Sequence, residues 1–341
     1  MKIKGENMYK VSVIVPVYNG ESYISMCLEA LTKQTLSDLE IIVVNDGSTD
    51  NTLSILNEYV ASYPNLFKVY SIENSGQGIA RNIGVSYATG EYLAFADSDD
   101  YMDPQMYERL YDFAKKGSHD LVVCPYYRVA PDHSILNAEM SELKTMIDIN
   151  TSPWNKLFHL QTWKNHNIKF AEGLWYEDVL AIYSYMFMAK SIGFYEAPMY
   201  YYVFRENSSI NLYSPKVNDI FKVFNQLYDY LTENNVFERY QDEIEAVFLM
   251  HIILGHLSRC ASEKNLYKRH CYIKETKQYI IDKFPKYSHN RYMNLRRPLS
   301  QNNVLSLMKT SLLKAFKYNL FDLVLLVYQM AQKVKINVNR W

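Results

Sequence analysis

The chain has 341 residues, of which 48% are hydrophobic and 21% charged; this is enough apolar side chain to bury a sizeable core, and too long for one ordinary domain. A formal net charge of −1 argues against a nucleic-acid partner. The near-zero total hides a split, because residues 264–341 carry 16 Lys and Arg against 3 Asp and Glu, so an acidic body precedes a basic tail. Cys27, Cys124, Cys260 and Cys271 form no CxxC pair, which excludes a zinc ribbon or a disulfide framework. The opening MKIKGENMYKV lacks the apolar run of a signal peptide, and no stretch reaches the ~20 apolar residues of a spanning helix. The expectation is a chain that stays on the cytoplasmic side.

In chain order, Val11 to Tyr18 is β-branched and stops at Asn19-Gly20, the pattern of a buried strand ending in a turn. Ile24, Cys27, Leu28 and Leu31 recur at helical spacing within Glu21 to Gln34. Leu39 to Val44 is a second strand closed by Asn45-Asp46-Gly47-Ser48-Thr49-Asp50, whose last three residues are N-cap candidates for a helix through Leu53, Leu56 and Val60. A third strand (Phe67 to Ile72), a third helix (Gly78 to Tyr87) and a fourth strand (Glu91 to Ala96) follow, the last running into Asp97-Ser98-Asp99-Asp100. This alternation predicts a parallel α/β sheet with right-handed crossovers, whose ligands sit at the strands' carboxyl ends. Asn19, Asp46 and Asp97 all fall there. A further strand is expected over Asp120 to Tyr127, then a patternless stretch from Arg128 to Thr151. From Pro215 the pattern is helical, over Val217 to Thr232, Phe237 to Ser262, Tyr267 to Phe284, Val304 to Tyr318 and Leu320 to Val334. His251 and His256 lie five apart on one of these helices and read as core histidines.

The acidic cluster concentrates three carboxylates past a buried strand, where hard oxygen donors suit Mg²⁺ or Mn²⁺ shared with substrate phosphates; a polar turn capping the next helix is the competing reading. Gly76-Gln77-Gly78 begins like a dinucleotide fingerprint, but Arg81 stands where the last glycine belongs, and no P-loop occurs. NAD and P-loop chemistry are therefore not expected.

Four segments in order, Val13 to Asn19, Val44 to Asp50, Gly78 to Gly84 and Asp97 to Asp100, resemble the family 2 inverting glycosyltransferases of the GT-A fold. The resemblance implies a Rossmann-like mixed sheet flanked by helices over 1–214, with a nucleotide-sugar half (1–130) and an acceptor half (131–214). Independently of the resemblance, which does not extend past about residue 215, charge and helical periodicity give a helical region with a basic amphipathic tail over 215–341. On the matching positions the resemblance implies that Pro16, Tyr18 and Asn19 shape the nucleotide pocket and that Asp46 reads the uracil edge. Arg81 would approach the pyrophosphate, Asp97 the ribose or the metal shell, and Asp99 would bind the divalent ion. Trp154 to Phe158 and Gly173 to Asp178 resemble the family's acceptor-side motifs. There Asp178 would be the base and Glu177 its support, although two acids opening a helix also favour its positive dipole end. Tyr200 to Ser209 resembles the Tyr-rich strand and Arg-x-x-Ser of the same family, so that Arg205, with Ser208 or Ser209, would close over the departing diphosphate.

The implied activity is transfer of a sugar from a nucleotide sugar, with a UDP-sugar expected, to a saccharide or lipid-linked acceptor in surface-polysaccharide synthesis. A nucleotidyltransferase would need a glycine- and lysine-bearing phosphate loop after the first strand, which Asn19-Gly20-Glu21 does not supply. A non-catalytic assembly scaffold would not need the intact acidic cluster and Glu177-Asp178. In the tail, Leu305, Met308, Leu312, Leu313, Phe316, Leu320, Leu323, Val324 and Val327 interleave with lysines, which suits an anionic membrane surface on the inner face of the cell membrane. A packed hairpin and a homodimer interface are the alternatives.

Overall fold

β1 (Tyr9–Val17) and β2 (Leu39–Asp46) are buried almost throughout, as continuous apolar runs covered on both faces must be. They pair in parallel with each other, with β3 (Phe67–Ile72) and with β4 (Gly90–Phe95). Three crossover helices connect them: α1 (Ile24–Thr32), α2 (Thr52–Ser62) and α3 (Gln77–Tyr87). α1 buries the stripe Ile24, Cys27, Leu28 and Leu31 that its spacing predicts. The computed structural model describes residues 9–139, 147, 149–205, 215–257, 263, 265–293 and 311–323.

Beyond β4 the parallel rhythm breaks. β5 (Tyr101–Met102) leads into α4 (Met106–Gly117), β6 (Leu121–Val123), β7 (Tyr126–Val129) and β8 (Ile135–Glu139). β9 (Lys156–His159) then inserts antiparallel between β4 and β6, α5 (Leu160–Asn165) and α6 (Glu177–Met188) follow, and β10 (Ile192–Phe194) pairs with β6 in parallel. The main sheet is therefore mixed and seven-stranded, in the order β10-β6-β9-β4-β1-β2-β3. The strand expected over Asp120 to Tyr127 is two strands: Pro125, lacking an N–H, falls between β6 and β7, which belong to different sheets. β8 crosses the stretch expected to be patternless, and is exposed along most of its length, leaving it no alternation to betray. β11 (Tyr200–Val203) completes a second sheet, β5-β11-β7-β8.

The chain divides into two compact units, the first comprising Met1–Ser141 and Asn150–Ile210, the second Glu142–Ile149 and Asn211–Trp341. In the second unit α7 (Asp219–Glu233) buries Ile220, Val223, Phe224, Leu227 and Leu231. α8 (Gln241–Leu249) continues into a π-helical turn over Met250–His256. His256 is buried with its ring against Phe221, as a core histidine is expected to be. A long helix, Leu266–Lys283, follows. The basic tail is described only over 311–323, where Leu313, Phe316 and Phe321 are buried while Tyr318, Leu320 and Leu323 are exposed. Part of the apolar stripe expected to meet a membrane is thus packed inside its own unit, with Phe316 edge-on to Tyr287. No helix among the described residues is long and apolar enough to cross a membrane.

Candidate active site

The parallel register sets Val17 level with Asn45, and Phe95 level with Ile14, so the turns carrying Asn19, Asp46 and Asp97 leave the sheet at one edge. Pro16 is tolerated in a central strand because the ladder to β4 ends at Ile14, where Ala96 N donates to Ile14 O at 3.0 Å. Tyr18, just beyond, is exposed. Asn19 adopts φ 48°, a conformation asparagine tolerates. Its Oδ1 accepts from Thr49 N at 2.8 Å and its own N–H donates to Ser48 Oγ at 2.9 Å, locking the first strand's turn to the second's.

Asp46 is buried, and its carboxylate accepts from Ser75 N at 2.7 Å and Gly76 N at 2.9 Å. Its immediate work is to hold the turn ahead of α3. The two glycines of that turn have separate causes. Gly76 sits at φ 91°, which a side chain would resist. A Cβ on Gly78 would lie 2.4 Å from Ala171 O and 3.1 Å from Glu177 Cβ, so glycine here permits close approach of α3 to the start of α6 (Glu177–Met188).

That approach delivers Arg81. Its guanidinium, 3% exposed, reaches Asp97 Oδ1 through Nη2 at 2.8 Å and Glu177 Oε1 through Nη1 at 2.9 Å. Burial opposes its charge, but the two carboxylates outweigh burial and raise its pKa. The Gln77 amide lies beside them, its oxygen accepting from Arg81 Nη2 at 2.7 Å and its nitrogen donating to Glu177 Oε1 at 3.3 Å. Arg81, expected to approach a pyrophosphate, bridges two carboxylates; its partner Glu177 lies 96 residues away, where spacing gives no hint.

The three aspartates of the cluster have separate surroundings. Asp97 carries Arg81, and its backbone N–H donates to Tyr200 Oη at 3.1 Å. Asp100 is buried and accepts from Tyr200 Oη at 3.0 Å and Val203 N at 2.8 Å, pinning β11 to the cluster. Burial, reinforced by Asp99 and Asp97, pushes its pKa well up. Asp99 is the open one, with a side chain 38% exposed and Oδ2 3.4 Å from Arg205 Nε. Burial of its carboxyl and the charge of Asp97 raise its pKa, against the pull of Arg205. Arg205 also donates to Asp99 O at 3.2 Å and lies over the Tyr23 ring at 4.6 Å. Ser208 and Ser209 lie outside the described residues. No three His, Cys, Asp or Glu side chains converge as a cage among the described residues. A carboxylate edge of this kind suits a hard divalent ion completed by phosphate oxygens, not a dedicated protein site.

On the other side, Tyr176 takes φ 65°, strained for a bulky residue, and turns the chain so that Glu177 and Asp178 open α6. Asp178 Oδ1 accepts from Val179 N at 2.9 Å. Enclosure by protein and the neighbouring Glu177 raise its pKa to about 7, although a Thr151 hydrogen bond and the charge of Arg81 favour its ionised form. A carboxylate poised there can take a proton from a hydroxyl near neutral pH. Thr151, Gln77, Asp100 and Tyr200 were not singled out as site residues from the sequence. Asp100 and Tyr200 stand inside quoted motifs, whereas Thr151 carries no signal of its own.

The glycosyl transferase family 2 model matches residues 12–171. The chain is 33% identical over 261 residues to the putative glycosyltransferase EpsH of Bacillus subtilis, covering 71% of this chain and 74% of that one. It is 44% identical over 117 residues to the poly(ribitol-phosphate) beta-glucosyltransferase of Bacillus spizizenii, a match spanning 33% of this chain and only 18% of that protein. Among solved structures, S. aureus TarS 1-349 in complex with UDP-GlcNAc superposes with a TM-score of 0.74 at 24% identity, covering 94% of this chain and 92% of that one, and so shares the fold. The mixed sheet, the strand-end carboxylates and the EpsH match agree, and the chain belongs to glycosyl transferase family 2, as a glycosyltransferase of GT-A fold.

Proposed function

We propose that this glycosyltransferase moves a sugar from a UDP-sugar, with inversion, to a hydroxyl of a saccharide or lipid-linked acceptor in cell-surface polysaccharide synthesis. The observation that carries the reading is Asp178, an enclosed carboxylate at the opening of α6 with its pKa raised to about 7. In the proposed step the acceptor O–H gives its proton to Asp178 as the oxygen bonds to the anomeric carbon. The bond from that carbon to the diphosphate breaks on the opposite face, and UDP leaves with the electron pair. One base on one face suffices for a single displacement, unlike the carboxylate pair of glycoside hydrolysis. Glu177, held by Arg81, fixes the loop that presents Asp178.

On the donor side, Asp99 with Asp97 would hold Mn²⁺ or Mg²⁺ at the cluster's open edge. Such an ion, when bound, neutralises charge on the leaving diphosphate. Arg205, already stacked on Tyr23 beside Asp99, supplies a further positive group there. The donor class is supported by the UDP-GlcNAc held by TarS, and the polymer acceptor by the name of the poly(ribitol-phosphate) relative. The test is UDP release from a panel of UDP-sugars with Mn²⁺, comparing the unmodified chain with Asp178→Asn. Release by the unmodified chain only is the expected result. No release with any UDP-sugar overturns the donor class, and equal release by both proteins overturns the base.

In the same proposal the basic tail, described over 311–323, docks on an anionic membrane surface. This is supported by the exposed Tyr318, Leu320 and Leu323, which lie close in sequence to Lys314 and Lys317.

A further inference from the structure

Lys156 is fully buried in β9, a place where lysine is rare unless its charge is used. Its Nζ donates to Asn150 Oδ1 at 2.7 Å, to Ser152 O at 2.6 Å and to Asn155 Oδ1 at 2.8 Å. Three acceptors for one nitrogen are the complement of an ammonium, because a neutral amine has only two protons to give. Asn155 is itself fixed: its Nδ2 donates to Cys124 O at 2.7 Å and its carbonyl accepts from Cys124 N at 3.0 Å. The ammonium is therefore referenced to the end of β6 and grips the loop 150–152 from both sides of Thr151. Thr151 in turn hydrogen-bonds the Asp178 carboxylate.

We infer that Lys156 is a positioning residue for the base, acting through the loop 150–152 to hold the Thr151 hydroxyl on Asp178 and adding positive charge behind it. The inference rests on the reading of Asp178 as the base. The other charged or titratable groups around Asp178 are Glu177 and Tyr183 on its own helix and Arg81 from α3; Cys124 neighbours Lys156 from β6. All of these stay in place when Lys156 is changed. Burial pulls the Lys156 pKa down to about 7, while Cys124 and Asp178 act to keep its proton. The two ionisations therefore support each other across the loop.

Removing Lys156 takes away a hydrogen bond and a cation that both favour ionised Asp178. The carboxyl pKa then rises, and the acidic limb of kcat/KM moves to higher pH. The experiment is the pH profile of UDP release by the full chain for Lys156→Met, Thr151→Val, the double variant and Asp178→Asn. Lys156→Met should shift the acidic limb up by about one unit, so that its rate falls roughly tenfold below the limb and recovers to near that of the unmodified chain at high pH. Thr151→Val should shift the limb the same way by less, and the double variant should match Lys156→Met alone, because both changes break one connection. A drop by one factor at every pH, or unshifted limbs in Lys156→Met and Thr151→Val beside an inactive Asp178→Asn, overturns the inference. An Asp178→Asn protein that still transfers overturns the base reading instead. Should Lys156→Met not fold, the limb of Thr151→Val decides alone.

Discussion

The two compact units differ in how much charge they bury. In the first, charged side chains are drawn inward and given fixed partners: Arg81 is buried between Asp97 and Glu177, Asp100 accepts from Tyr200 Oη, and Lys156, buried in a sheet strand, donates to Asn150, Ser152 and Asn155. In the second, the ion pairs of Arg291 with Asp242 and Glu243 and the hydrogen bond between His270 and Asp322 lie at the surface, and among the described residues the charged side chains within its core of Phe, Leu, Ile and Val are Arg269 and Glu245, the latter accepting from Asn290 Nδ2 at 2.9 Å. Buried charge is costly and survives only where partners are in place, whereas surface pairs contribute little to stability. The first unit carries most of that cost near the carboxyl ends of its strands, with Glu40 buried against Lys68 at the other end of β2; the second buries only Glu245 and Arg269 among the described residues. If this contrast is right, single substitutions in the first unit change rates by orders of magnitude, and those in the second leave turnover alone.

The sharpest test is Asp178→Asn. Transfer should fall by about 10³-fold, within the ~10²–10⁴ range of general-base contributions. Stability should move the other way. The carboxyl pKa, 3.8 ordinarily and about 7 in the folded chain, lets the folded state keep a proton that the unfolded state releases. Stability is therefore lost as pH rises from about 4 to about 7, and the whole penalty is present above that window. Asn removes the penalty, so melting at pH 8 should rise by roughly 2–4 °C, with almost no change near pH 4. A variant that loses activity with no gain at pH 8 would mean that the carboxylate is not held against its charge.

Arg81→Met comes next. It strands Asp97 and Glu177, and breaking a buried pair from one side costs about 3–5 kcal/mol. Rate should fall by about 10²-fold, because α6 loses its tie to the donor edge. Denaturant melts and UDP release measured together check both; intact stability would show that the bridge is dispensable. Asp99→Asn should behave differently, raising the donor KM about tenfold with little change in melting, since its side chain is 38% exposed. Equal donor KM values would take Asp99 out of the donor site.

These contrasts also mark what was legible beforehand. β1 to β4 and their turns could be read because each is a local pattern, a strand-forming run closed by Asn19-Gly20, Asp46-Gly47-Ser48-Thr49, Asn74-Ser75-Gly76 or the acidic cluster at 97–100. Asp97 and Asp99 stand out as a local acidic cluster, and Asp178 only through the resemblance to the family's acceptor-side motif. The antiparallel insertion of β9 could not be read, because Lys156-Leu157-Phe158-His159 is too short to show a period, and its direction is fixed by pairing with β4 and β6, which are distant in sequence. Arg81 was visible as a residue but not in its task, which depends on Glu177 arriving from α6. Asp178 was visible as an acid, but its raised pKa arises from enclosure and from Glu177, Thr151 and Arg81 together. The residue was local; its environment was not.

The smallest expected effect belongs to the second unit, and would show how far its surface chemistry departs from that of the first. Tyr318, Leu320 and Leu323 are 62%, 52% and 58% exposed, so changing all three to Ser should spare the fold. Each apolar side chain withdrawn from water at a lipid surface contributes on the order of 1 kcal/mol, and each basic residue about as much. The triple variant should bind vesicles of anionic lipid at least about tenfold more weakly, while UDP release with a water-soluble acceptor stays within about twofold. Reversing Lys314 and Lys317 to Glu should weaken binding at low salt and make little difference at high salt, where screening has already removed their contribution. The two sets of changes separate insertion from attraction. Binding that survives both, at any salt, would remove the tail from the membrane and leave Leu313, Phe316 and Phe321 as packing residues of the unit that buries them.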